Sequence, residues 1–261
     1  MADPKWLDPF DEAPFIMFSW PHLWAVFGIA AAIGLLYVLK SRLRAWSEKK
    51  RKVLRICMAG MLLSMEIMLQ SWYGYGGVWS PQTSLPLELC SLTLLLSAVL
   101  LLTRSKWLHS ALLYAGIAGA MMAIVTPNLG YAFPHFRFIQ FFTAHGLIIL
   151  ALLYMTWVEE MRPGWKSVIG SICFVNLAAL AVYIVDVMLG ANYMFLRHKP
   201  DTASILDVFG PYPLYILWEE GLAAALFALM HVLLFAIPDK IHRIRNANPA
   251  EKRGARLSET R

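Results

Sequence analysis

Cys90 and His145 are the two residues of this chain whose types suggest covalent chemistry. A thiol that passes its proton to an imidazole becomes a nucleophile able to take an acyl group as a thioester. Both residues lie in strongly apolar stretches, and Glu88 stands two residues before the cysteine, with Ser91 beside it as an alternative nucleophile. Further ionisable and polar groups lie in or beside apolar sequence: Glu66, Arg137, Asp186, Asn192, Tyr193, Glu219 and Glu220. A charged side chain in hydrocarbon costs about 3 kcal/mol or more, so several at one depth point to a shared polar chamber. For each residue taken singly there is a plainer reading. An acid bonded to a base or amide on the next helix fixes register, and a cysteine flanked by apolar residues is packing. A histidine in a span is harder to reduce to packing, because its neutral ring still needs two polar partners.

The elements that must position these groups follow from composition. With 59% hydrophobic and 15% charged residues in 261, the chain has too little polar surface for a soluble core and reads as an integral membrane protein. Apolar stretches of roughly 20 residues, enough for about 30 Å of hydrocarbon, run from His22 to Leu39, Val53 to Trp72, Leu87 to Thr103, Leu108 to Val125, Phe138 to Val158, Lys166 to Leu189 and Tyr212 to Ile237. An all-α bundle of seven transmembrane helices is expected. A six-span arrangement with one re-entrant piece is the alternative, because the third and fourth stretches are short and tightly joined. Nineteen of the 23 Lys and Arg fall in Lys40 to Arg55, Arg104 to Lys106, Arg162 to Lys166 and the residues after Ile237. Basic loops stay in the cytoplasm, so the N-terminus is expected outside and the C-terminus inside. The organisation is then an extracytoplasmic segment over 1–21, a helical membrane domain over 22–237 and a basic cytoplasmic tail over 238–261. Asp3, Asp8, Asp11 and Glu12 agree with an outer N-terminus, and no cleavable signal pattern precedes the first stretch.

The same charges narrow the partners. Clusters at Lys49 to Lys52 and Lys240 to Arg256 suit anionic lipid headgroups rather than nucleic acid. Cys57, Cys90 and Cys173 show no CxxC spacing, which argues against a disulfide framework or a structural zinc site. No cofactor is expected. A metal site from Glu88, Glu220 and His231 lacks an HExxH-like spacing, so no metal is assigned. Ala111, Ala115, Gly119 and Ala123 recur every four residues and give the fourth helix a small face for close packing.

Given the expected orientation, Glu66, Glu88, Cys90, His145, Asp186, Glu219 and Glu220 all fall in the outer half of the membrane. Tyr212, Tyr215 and Glu219 form one helical stripe, with Glu220, Phe227 and His231 on another; Asn176, Tyr183 and Asp186 share a face of the sixth helix. In a continuous helix Glu88 and Cys90 point about 200° apart and cannot share a chamber, unless the stretch after Pro86 is not yet helical.

Leu85-Pro86-Leu87-Glu88-Leu89-Cys90-Ser91, Phe141-Phe142-Thr143-Ala144-His145-Gly146 and Gly190-Ala191-Asn192-Tyr193-Met194-Phe195-Leu196-Arg197-His198-Lys199-Pro200 resemble the YwaF-like bacterial integral membrane proteins, as does Gly210-Pro211-Tyr212-Pro213 followed by Trp218-Glu219-Glu220. That family is distantly similar to a eukaryotic membrane acyltransferase family acting on ether phospholipids, and more remotely to a membrane hydrolase of fatty-acid esters. The resemblance implies a bacterial plasma-membrane protein, with a nucleophile near one helix start and a histidine in a later span. His145 matches that histidine, while Cys90 stands three residues beyond the position where the acyltransferase pattern has its cysteine after Pro. Two readings follow. In one, Cys90 attacks a lipid acyl ester, His145 takes the proton, and Arg137, Asn192 or Tyr193 stabilises the oxyanion. In the other, the chain is a binder or transporter of a small cationic or zwitterionic solute, with Glu66, Glu88, Asp186, Glu219 and Glu220 as its site.

Overall fold

The computed structural model describes residues 5–10, 13–200 and 208–241, and each apolar stretch is a helix in it. Among these residues there are seven α-helices: α1 Trp20–Arg44, α2 Glu48–Tyr75, α3 Leu89–Thr103, α4 Lys106–Val125, α5 Phe136–Trp157, α6 Trp165–Leu189 and α7 Leu214–His231. α7 runs on through a π-turn, Val232–Ala236. Six helices are long and apolar enough to cross a membrane, counting α7 with its extension. The remaining helix, α3, is a shorter apolar helix of 15 residues, about 22 Å long at 1.5 Å per residue. The protein is a multi-pass membrane protein.

Local chemistry sets the boundaries. Arg104 takes a left-handed conformation (φ 54°) to end α3, and the Ser105 hydroxyl at once caps α4 by accepting the Leu108 amide at 3.3 Å. Gly190 (φ 68°) closes α6, a conformation that glycine adopts without strain. Helices α4 and α5 are the buried axis: α5 packs against α1, α2, α3 and α4, and α4 against α3, α5, α6 and α7. They pack tightly at Gly116, where a Cβ would stand 2.6 Å from Leu152 Cδ1. The small face expected on α4 is therefore supplemented by a glycine one residue out of its register. The α6 contact uses serines, with Ser167 Oγ donating to Ser110 Oγ at 2.9 Å and Ser171 Oγ to the Ser110 carbonyl at 3.0 Å.

The two ends of the bundle are closed differently. At the basic face, the fully buried Glu159 carboxylate pairs with Arg55 at 2.6 Å and Arg104 at 3.0 Å. Glu48 takes Arg51 and Arg55, each at 2.8 Å. At the opposite face the N-terminal segment lies across α2 and α5. The carbonyls of Trp6, Leu7, Asp8, Pro9 and Ala13 accept from the Phe136 amide, the Trp72 indole, the His135 ring, the Tyr131 hydroxyl and the Ala132 amide. Asp3, Asp11 and Glu12, and the tail beyond residue 241, lie outside the described residues.

Candidate functional site

The approach to α3 through Pro86 is not helical. The Leu87 amide bonds the Leu85 carbonyl at 2.8 Å, and Glu88 is extended (φ −61°, ψ 146°), so α3 starts only at Leu89. Glu88 is thus the N-cap residue, and the rotation that separates it from Cys90 in a continuous helix does not apply. Its carboxylate accepts the Met194 amide at 3.1 Å. Asp186, fully buried in the last turn of α6, accepts the Tyr193 amide at 3.0 Å.

Between these two carboxylates the 190–199 loop folds on itself. Asn192 Oδ1 accepts the amides of Arg197 (2.9 Å) and His198 (3.2 Å), and the Arg197 guanidinium reaches the carbonyls of Asp186 and Ala191. The buried Tyr193 hydroxyl donates to the Pro81 carbonyl at 3.0 Å and accepts the Leu85 amide at 2.8 Å. Burial pushes that phenol above its ordinary range. Tyr215 of α7 donates to the Phe195 carbonyl. The loop therefore ties together the ends of α6 and α7 and the start of α3. The Asp186 Oδ2 atom is buried and has no hydrogen-bond partner among the described residues.

His145 lies below this cap. Its Nδ1 stands 2.7 Å from the Phe141 carbonyl, which can only accept, so Nδ1 carries the proton and Nε2 presents a lone pair. A Cβ at Gly116 would lie 3.8 Å from Thr93 Cβ and 3.5 Å from Ile148 Cγ2, which puts Thr93 of α3 level with Ile148 of α5. Cys90 and His145 each precede their level mate by three residues, and α3 and α5 run in the same direction. Cys90 and His145 therefore each stand about one helical turn back from this contact, along α3 and α5 respectively. No hydrogen bond among the described residues joins thiol and ring.

A family model, that of the TMEM164 family, matches residues 17–231. The chain belongs to the TMEM164 family. The matched region holds all seven α-helices, the cap loop, Cys90 and His145, and leaves the docked segment before residue 17 outside it. No curated protein and no solved structure matches the chain.

The remaining candidates of this TMEM164-family chain fall elsewhere. Arg137 bonds Gln140 and lies about 6 Å from the rings of Trp72 and Tyr73. Glu66 accepts from Gln70 at 2.9 Å, and Gln70 also donates to the Ser84 carbonyl at 2.7 Å. Gln140 reaches the Met65 carbonyl at 3.3 Å, so Glu66 and Arg137 belong to an amide-rich belt between α2 and α5. Glu219 is exposed and Glu220 half-buried on α7, and neither has an ion pair among the described residues. The His231 ring sits 2.7 Å from the Tyr114 hydroxyl and packs on Trp165, roughly 16 Å along the helix from Glu220. The expected single chamber therefore divides into the cap (Glu88, Asp186, Asn192, Tyr193), the turns of Cys90 and His145 beneath it, and the α2–α5 belt. Gln70 and Gln140, amides within apolar stretches, were the overlooked signal of the belt. Arg197 and Tyr215 were overlooked as cap residues because only the folded loop gives them partners.

Proposed function

We propose that the chain is a lipid acyl-transferase or acyl-ester hydrolase that works through a Cys90 thioester, with His145 as general base. What supports this reading is that Thr93 of α3 and Ile148 of α5, each three residues beyond Cys90 and His145, both come up to Gly116 of α4, and that Phe141 already holds Nδ1 of His145. The Cys90 thiol gives its proton to Nε2, and its sulfur attacks the ester carbonyl carbon. The tetrahedral oxyanion collapses, the lysolipid oxygen leaves with the proton from Nε2, and the acyl group stays on sulfur. A second alcohol, or water, then gives its proton to Nε2 and attacks the thioester, returning the thiol.

Cys90 is the second residue of α3, and the amides of Leu89, Cys90 and Ser91 have no acceptor within the helix. They are donors for the oxyanion. Asn192 and Tyr193 are already used by the cap and Arg137 by Gln140, so these amides are better placed for that role. Glu88 acts as a positioning residue that holds the cap against α3. In this reading the basic face is cytoplasmic and the membrane a bacterial plasma membrane.

The test is intact-protein mass spectrometry after incubation with ester phospholipids. An acyl adduct is expected in the parent protein, none in Cys90→Ala, and formation roughly 10²-fold slower or more in His145→Ala. Equal lipid turnover in Cys90→Ala sinks the proposal. A carboxylate cation site is the second reading, and the unbonded Asp186 Oδ2 favours it. It would appear instead as cation-dependent stabilisation lost in Asp186→Asn, with no adduct in any variant.

A further inference from the structure

A groove of about 770 Å³ runs between α3 and α6 with α4 as its floor. Its walls are almost wholly apolar, with Leu92 and Leu96 on one side and Ala178 and Ala181 on the other, and at the basic face it ends in Lys106 and Lys166. These two lysines are set apart from the arginines around them. Arg44, Arg51, Arg55, Arg104 and Arg162 each have a carboxylate partner, whereas Lys106 and Lys166 are exposed and have no ion pair among the described residues. Trp107, 76% exposed at the same mouth, marks the interfacial level where amphipathic rings settle. From Lys166, Ala178 lies about 18 Å deeper along α6, a little more than half of a hydrocarbon core about 30 Å thick.

We propose that this groove is a binding site for an anionic phospholipid, with the phosphate between Lys106 and Lys166 and one acyl chain along α3 and α6. Two exposed cations at the mouth complement an anionic headgroup, and an apolar trench a little more than half a hydrocarbon core deep suits an acyl chain on that anion. The site is separate from Cys90, which does not line the groove. It stands or falls independently of the catalytic reading.

The experiment is native mass spectrometry of the full chain, released from detergent after incubation with equal amounts of phosphatidylglycerol and phosphatidylcholine. The parent protein is expected to retain phosphatidylglycerol preferentially. Lys106→Gln with Lys166→Gln is expected to reduce that preference about tenfold, on the scale that basic side chains contribute at a membrane surface. Ala178→Phe, which fills the trench without changing charge, is expected to remove most of the bound lipid, and Ala181→Phe serves if that variant does not fold. Unchanged phosphatidylglycerol retention in the lysine variant overturns the proposal. So does retention in the filled variants equal to that of the parent, which would mean a headgroup contact with no chain in the groove. A dimer of this chain in place of lipid adducts would overturn it as well.

Discussion

Carboxylates are buried at both ends of the bundle, but they are satisfied in opposite ways. At the basic face Glu159, assisted by Glu48, is surrounded by Arg51, Arg55 and Arg104, which come from the start of α2 and the end of α3 and converge on the end of α5. At the opposite face Glu88 and Asp186 accept backbone amides of one loop, and the nearby Arg197 bonds carbonyls instead. No salt bridge is found there among the described residues. The first arrangement neutralises charge and locks loops to each other. The second holds a loop in place and leaves acceptor capacity over, most plainly at Asp186 Oδ2. The fixed end reads as an anchor, and the other is the end where the proposed chemistry would take place.

Substitutions at the two ends should differ accordingly. Glu159→Ala leaves arginines without their buried counter-ion and is expected to cost about 3–5 kcal/mol, seen as a large drop in melting temperature in detergent. A drop no larger than that of an exposed pair would erase the contrast. Asp186→Ala orphans the buried Tyr193 amide and is expected to cost about 1–3 kcal/mol in the same assay. Tyr193→Phe removes the bonds to Pro81 and Leu85 and should cost about 1 kcal/mol or somewhat more, with faster hydrogen exchange in the 81–85 turn. The smallest effect is expected for Asp186→Asn, whose amide oxygen keeps the Tyr193 bond, within about 0.5 kcal/mol of the parent. A stability loss there close to that of Asp186→Ala would show that the charge, rather than the acceptor, holds the cap.

The seven helices were legible because long apolar runs report membrane crossings whatever they pack against. Cys90 and His145 were legible as chemical types, but the contact of α3, α4 and α5 at Gly116, one turn further on, is one that no periodicity encodes. The start of α3 was ambiguous in the sequence. Pro86 disfavours helix in the residue before it, but whether Glu88 belongs to the helix depends on its bond to Met194, more than 100 residues away. The single chamber failed for a related reason. Depth along a helix can be counted, but which acceptors a folded loop takes up cannot, and the 190–199 loop takes Glu88 and Asp186 while Gln70 and Gln140 draw off Glu66 and Arg137. The arginine anchor was read only as a topological charge bias, because its acids lie outside the apolar segments.

The docked N-terminal segment bears on the order of assembly. Its carbonyls at Trp6, Leu7, Asp8, Pro9 and Ala13 wait for donors supplied by Trp72 and by residues 131–136. A chain emerging from the ribosome makes those carbonyls first and most of their donors more than a hundred residues later. The docked segment thus remains unsealed until residues 131–136 have been made, and the bundle closes over a stretch that was synthesised long before its partners.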